Sequence, residues 1–160
     1  MRLARAELLH PVLQFRYTII SSELEGAAIF ARGAQQPSFN TNPIKADYQN
    51  GYFFVAGKKT WEPITLRCYH YEGITMPNFW RYVQRHQTVK LARDTYANSY
   101  KHTLRLTMLS PDGLTPVGTW KLVGAFFQSV KFGDMDWGGE EVTEIDATIV
   151  YDFAEYSLIF

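Results

Sequence analysis

The sequence predicts a mainly β protein: an antiparallel β-barrel or sandwich carrying one flanking α-helix and a long protruding β-hairpin. Three observations lead there. Apolar and polar residues alternate through most of the chain, an Asn-Gly pair joins two strand-like runs, and only one segment shows a helical apolar stripe. Alternating strands that bury one face each need a second layer, and one helix is too little to supply it.

Taken in order, residues 1–12 read as a short N-terminal arm. The start, Met1-Arg2-Leu3-Ala4-Arg5, is basic like a signal peptide but meets Glu7 and His10 before an apolar stretch forms. Leu13, Phe15, Tyr17 and Ile19 alternate with Gln14, Arg16 and Thr18, as in a half-buried strand. A weaker strand covers 26–34, and the polar, proline-bounded stretch 36–43 connects it to the hairpin. That hairpin spans 43–58, with Ile44 to Gln49 and Tyr52 to Ala56 as arms and Asn50-Gly51 as the turn, since both turn positions favour positive φ. Its first arm is mostly polar and its second aromatic, so it should lean on something else.

Trp61 to Tyr71 reads as one long strand with Ile64, Leu66 and Cys68 on its apolar face. A helix over 75–87 follows, with Thr75 as cap, Pro77 in the first turn and a stripe of Met76, Phe79, Trp80 and Val83. Residues 88–100 are polar and read as loop. Lys101 to Leu109 alternates again, Ser110-Pro111-Asp112-Gly113 makes a turn, and Val117 to Phe132 forms a long strand bent at Gly124. Val142 to Phe153 is the last strand. The total is seven or eight strands in one domain of 160 residues, with 46% hydrophobic residues to fill a core.

Sixteen basic and sixteen acidic residues cancel, which excludes a uniformly basic nucleic-acid binder and an acidic disordered chain. The cancellation hides a segregation. Residues 1–131 hold all sixteen bases and eight acids; residues 132–160 hold eight acids and no base. One cysteine, Cys68, allows no intrachain disulfide, and no apolar run reaches the roughly 20 residues of a membrane helix, so no membrane insertion is expected.

Signals for chemistry are weak. His10, His70, His86 and His102 lack metal-ligand spacing and read as surface or packing residues. Cys68 shares the face of Ile64 and Leu66 and reads as a buried, inert thiol. Asp134, Asp136, Glu140 and Glu141 do not fit a calcium-loop pattern and read as a solvated acidic loop. Gly57-Lys58-Lys59 lacks the spacing of a phosphate loop. The aromatic and basic residues of 67–105 would suit RNA stacking, but their strand and helix spacing favours a core. No catalytic, metal or cofactor site is expected.

A set of short sequences in a fixed order resembles the tail tube proteins of contractile-tailed bacteriophages, with the tube subunits of pyocins and type VI secretion systems as relatives. The set is Gln36-Pro37-Ser38-Phe39, Asn42-Pro43-Ile44, Tyr52, Ala56-Gly57-Lys58 and Trp61-Glu62-Pro63-Ile64-Thr65-Leu66. It continues with Phe79-Trp80, Trp120 to Phe126, Gly133-Asp134 and Ile145 to Tyr151, and so covers most of the chain. The resemblance implies homohexameric rings stacked into a hollow tube inside a contractile sheath. It implies as partners the tail sheath protein, the baseplate tube-initiator and tail-terminator proteins, and genomic DNA passing through the lumen without sequence recognition. The location implied is the virion tail, assembled in the host cytoplasm.

A propagating contact needs two different, complementary surfaces on each subunit. The candidates here are Lys45, Tyr48, Asn50, Gly51, Tyr52, Lys58 and Lys59 of the hairpin and Arg93, against Asp134, Asp136, Glu140 and Glu141. The apolar end, 156–160, is a further intersubunit candidate. Thr65, Arg67, Thr103, Arg105, Glu144 and Asp146, on polar strand faces, are candidates for the lumen lining. Two rivals remain: an initiator or terminator ring of the same fold, and a small β-barrel binding or enzymatic domain. A pocket with convergent polar groups would mark the last.

Overall fold

The computed structural model describes residues 17–20, 31–71, 73, 75–88, 93–94 and 96–158. The expected arm 1–12, the first part of each of the two N-terminal strands and the last two residues lie outside this set. The described residues form eleven strands and two helices: β1 (Tyr17–Ile20), β2 (Ala31–Ala34), β3 (Phe39–Tyr48), β4 (Gly51–Trp61), β5 (Ile64–Tyr69), α1 (Thr75–His86), β6 (Gln87–Thr88), β7 (Arg93–Asp94), α2 (Ala97–Tyr100), β8 (His102–Leu109), β9 (Pro116–Lys131), β10 (Glu144–Val150) and β11 (Phe153–Leu158).

Seven strands make the body, in the order β1-β8-β9-β10-β5-β2 with β11 also on β9, and every pairing is antiparallel. The strand β9 belongs to both halves of the body. Its first part pairs with β8 and β11, and from Phe126 it pairs with β10. The switch occurs at the expected bend. Gly124 has φ +67°, and a Cβ there would run into the Asp152 carboxylate, so only glycine fits. The inner faces of the two halves meet in one core of Ile64, Leu66, Cys68, Ile145, Ala147 and Ile149 against Ile19, Leu104, Leu106, Leu122 and Ala125. The alternation that predicts the strands is the alternation of this burial.

The helix α1 closes the core with Thr75, Phe79 and Tyr82. Of the expected stripe, Phe79 is buried, Met76 and Val83 are half-buried and Trp80 is exposed. The buried line is Thr75-Phe79-Tyr82, spaced four and three, the separation of side chains stacked on one helix face. Phe79 and Tyr82 pack on Phe127 at centroid distances of 5.4 and 4.6 Å. Thr75 does not act as a simple cap. Its hydroxyl donates to the Tyr69 carbonyl at 3.0 Å and accepts the Tyr71 N–H at 3.2 Å, tying the end of β5 to the helix.

Several boundaries differ from expectation. Trp61 ends β4 instead of starting β5, because Pro63 brings no N–H to the ladder at that point. The stretch 88–100 holds the short β6–β7 ladder and α2 rather than loop alone. The final strand is two: Tyr151 and Asp152 break it, Val142 lies in the preceding loop, and β11 turns onto β9. The Asp152 N–H donates to the Val123 carbonyl at 3.0 Å at that corner.

Candidate functional site

The hairpin of β3 and β4 forms a two-stranded sheet of its own, running from Phe39 to Trp61 and so longer than the expected 43–58. Its turn is shifted by one residue. Tyr48 pairs with Gly51, so Gln49 and Asn50 are the turn residues, and the positive φ (49°) falls on Gln49. Nearer the base, Gly57 and Lys58 bulge opposite Asn42. A Cβ on Gly57 would collide with the Asn42 carbonyl, and Pro43, without an N–H, sits at the same irregularity.

Ile44, Tyr48, Tyr52, Phe53, Phe54 and Val55 are each 47–66% exposed. Successive strand residues point to opposite faces, so both faces of the hairpin present large apolar groups to solvent. The basic candidates sit among these rings. The Lys45 ammonium lies 4.5 Å from the Tyr52 centroid and 3.6 Å from Asp47 Oδ1. Lys59 Nζ lies 4.2 Å from the Phe39 centroid, and Lys58 is exposed at the bulge. Arg93 falls in β7, and its side chain lies outside the described set.

The loop between β9 and β10 carries the acidic candidates Asp134, Asp136, Glu140 and Glu141, all exposed. Asp136 folds the loop locally by accepting the Gly138 N–H at 3.0 Å. The ion pairs of the described residues use Asp47, Glu144, Asp146, Asp152 and Glu155, and none of these four acids. Met135 and Trp137 stand fully in solvent on the same loop, a feature that charge counting misses. An open groove of about 1120 Å³ runs between the loop and the body beside Arg32, Tyr69, Glu144 and Asp146.

The lumen candidates fall on two outward faces. Thr65, Arg67, Glu144 and Asp146 share the outer face of β5 and β10, where Arg67 is the register partner of Asp146 and their side chains are 3.4 Å apart. Glu144 pairs with Arg32 on that face. Thr103 and Arg105 lie on the outer face of β8, across from Lys121, which pairs with Glu155 at 3.7 Å. The shared core lies between these faces, so they look away from each other.

Groups with shifted titration are structural in their surroundings. Burial pushes the Cys68 thiol up to about 12, which keeps it protonated and unreactive. Burial also lowers the pKa of His102, whose ring meets Tyr82 edge-on at 5.3 Å. Asp112 is held down at about 2 by the Thr115 hydroxyl and N–H and the Leu114 N–H, in the turn after β8. Among the described residues, no three His, Cys, Asp or Glu side chains are grouped to hold a metal ion, and no helix is long and apolar enough to cross a membrane.

No protein-family model matches the chain, and no curated protein matches its sequence. Solved structures do match its fold. The tube-terminating cap of the anti-feeding prophage superposes with a TM-score of 0.74 at 16% identity, over 94% of this chain and 93% of that one. The sheath/tube terminator of the PVC extracellular contractile injection system in its extended state gives 0.74 at 16% identity, over 94% and 99%. A chain of the PVC sheath–tube complex gives 0.71 at 16%, over 99% of both. The antiparallel body, the helix and the hairpin thus form the fold of tube and terminator proteins of contractile injection systems.

Proposed function

We propose that this chain is a structural, non-enzymatic subunit of the inner tube of a contractile tail. Six copies close a ring, and rings stack into a hollow tube inside the sheath. A baseplate initiator and a terminator bound the tube, and genomic DNA passes through its lumen when the sheath contracts. The observation that carries this reading is the hairpin. A two-stranded ribbon is marginal in water by itself, and this one exposes apolar groups on both faces. Packing against further copies of the chain covers those groups and leaves the particle soluble.

The rest of the surface supports a head-to-tail contact. The lysines of the hairpin and the carboxylates of the 132–143 loop lie on separate exposed elements, as two complementary surfaces must. In such a contact the charges set register and the apolar groups supply affinity. For the lumen we assign the β5–β10 face. Its Arg67 and Arg32 are paired with Asp146 and Glu144, and loop carboxylates stand beside them, so a polyanion meets no basic track to adhere to. In this assignment Thr103 and Arg105 lie away from the channel.

A second reading keeps the fold and changes the copy number: a terminator that forms one ring. The cap of the anti-feeding prophage and the PVC terminator share the fold at a TM-score of 0.74, beside 0.71 for the PVC sheath–tube complex, so the fold supports this reading as well as the first. Negative-stain electron microscopy of the purified protein decides between them. Long tubes support the tube subunit, single rings support the terminator, and a monomer under all conditions contradicts both.

A further inference from the structure

The hairpin and the body are parts of one bent ribbon. In the body, β2 pairs with β5 through Ala34 and Leu66; in the hairpin, Phe39 pairs with Trp61. Between them the ladder narrows. Gln35 exchanges hydrogen bonds with Thr65, its N–H to the carbonyl at 3.2 Å and its Oε1 to the N–H at 3.0 Å. The Glu62 N–H reaches the Ser38 carbonyl at 2.9 Å, and the Ser38 hydroxyl reaches the Glu62 carboxylate at 2.8 Å. Pro37 and Pro63 lie in this gap, one on each strand, and neither offers an N–H. A two-stranded ribbon interrupted on both strands resists bending poorly. Its backbone alone does not fix the direction in which the hairpin leaves.

Beside the Gln35 and Ser38 contacts, an aromatic ring crosses the gap. Trp61 is half-buried, packs against the core, and sets its ring 5.9 Å from that of Tyr151, the buried residue at the corner between β10 and β11. On its other side Phe39 meets it edge-on at 5.4 Å. The Lys59 ammonium lies over both rings, 4.2 Å from Phe39 and 5.6 Å from Trp61. We propose that Trp61 is a positioning residue: wedged between Phe39 and Tyr151, it holds the hairpin at one angle to the body. Its value for assembly rests on the tube reading above, because stacking needs every hairpin to arrive at its neighbour in one orientation. Ordering the hairpin beforehand also lowers the entropy lost on association.

The test measures angle and assembly separately. Spin labels at Asn50→Cys, on the turn, and Gln128→Cys, on the body, report the hairpin direction in the dispersed protein by pulsed electron resonance. The native Cys68 is buried and stays unlabelled. The unsubstituted Trp61 gives one narrow distance distribution. Trp61→Ala broadens and shifts it while the body keeps its thermal transition, Trp61→Phe restores it, and the truncation Tyr48→Ala at the turn leaves it unchanged. A narrow, unshifted distribution in folded Trp61→Ala overturns the proposal. If that variant does not fold, Trp61→Leu decides in the same way: it keeps apolar volume in the gap but lacks the ring. Microscopy of the same variants then reads stacking. Failure of the native chain to form rings or tubes defeats the tube reading and leaves the angle measurement standing.

Discussion

The β5–β10 pair and the β3–β4 hairpin are both antiparallel ladders rich in β-branched and aromatic residues, and they use them in opposite ways. On β5 and β10 every second residue is buried: Ile64, Leu66 and Cys68 face Ile145, Ala147 and Ile149 across the register, and the polar residues between them form the outer face. On the hairpin the aromatic run Tyr52-Phe53-Phe54 breaks the alternation, and both faces stay exposed. The difference separates two problems that one sequence solves. Alternation stabilises a surface that the chain covers by itself. In the proposed assembly, the aromatic run without alternation belongs to a surface that another copy covers.

Substitutions in the two regions should therefore separate folding from assembly. The largest effect on folding belongs to the body. Leu66→Ala or Leu122→Ala, at fully buried positions, should cost about 2–5 kcal/mol in chemical denaturation. Next comes Gly124→Ala, which puts a Cβ on a positive φ against Asp152 and should cost about 1–3 kcal/mol. His102 sharpens the picture of the body at a third level. Burial holds its folded pKa below the ordinary imidazole value of 6.5, so the neutral ring favours the folded state, and this contribution is complete above that value. As pH falls below it, the unfolded chain takes up the proton first and stability declines. His102→Phe should flatten the dependence of the melting temperature between neutral and mildly acid pH.

The hairpin should behave in reverse. Lys58→Glu with Lys59→Glu should change the stability of the dispersed protein by about 1 kcal/mol at most, chiefly through the cation–π contact of Lys59 with Phe39 and Trp61. The same pair should shorten or abolish assemblies seen by electron microscopy. Unchanged assemblies would remove these lysines from the contact.

How much of this could be read from the chain follows from the same contrast. Strands such as 104–108 and 145–149 were legible because period-two burial writes itself into the residue types, and the bend at Gly124 because one glycine interrupts an otherwise continuous strand. The hairpin turn was legible to within one residue. Asn50-Gly51 marks it, but the register pairs Tyr48 with Gly51 and puts the positive φ on Gln49. The extent of the hairpin was not legible. Its base depends on a Trp61–Tyr151 contact between residues ninety positions apart, and no local pattern encodes that. The lumen candidates show the same limit. Thr65 and Thr103 look alike as polar residues on alternating strands, and only the pairing of β9 with both halves puts them on opposite faces.

The central claim is that the hairpin serves assembly and not folding. The direct measurement is a triple variant, Tyr52→Ser, Phe53→Ser and Phe54→Ser, compared with the native chain in two readouts: the melting temperature of the dispersed protein, and particle shape by electron microscopy. The expected result is a body that melts within a few degrees of the native one and a complete loss of rings and tubes. Rings or tubes that persist unchanged in the folded variant would contradict it.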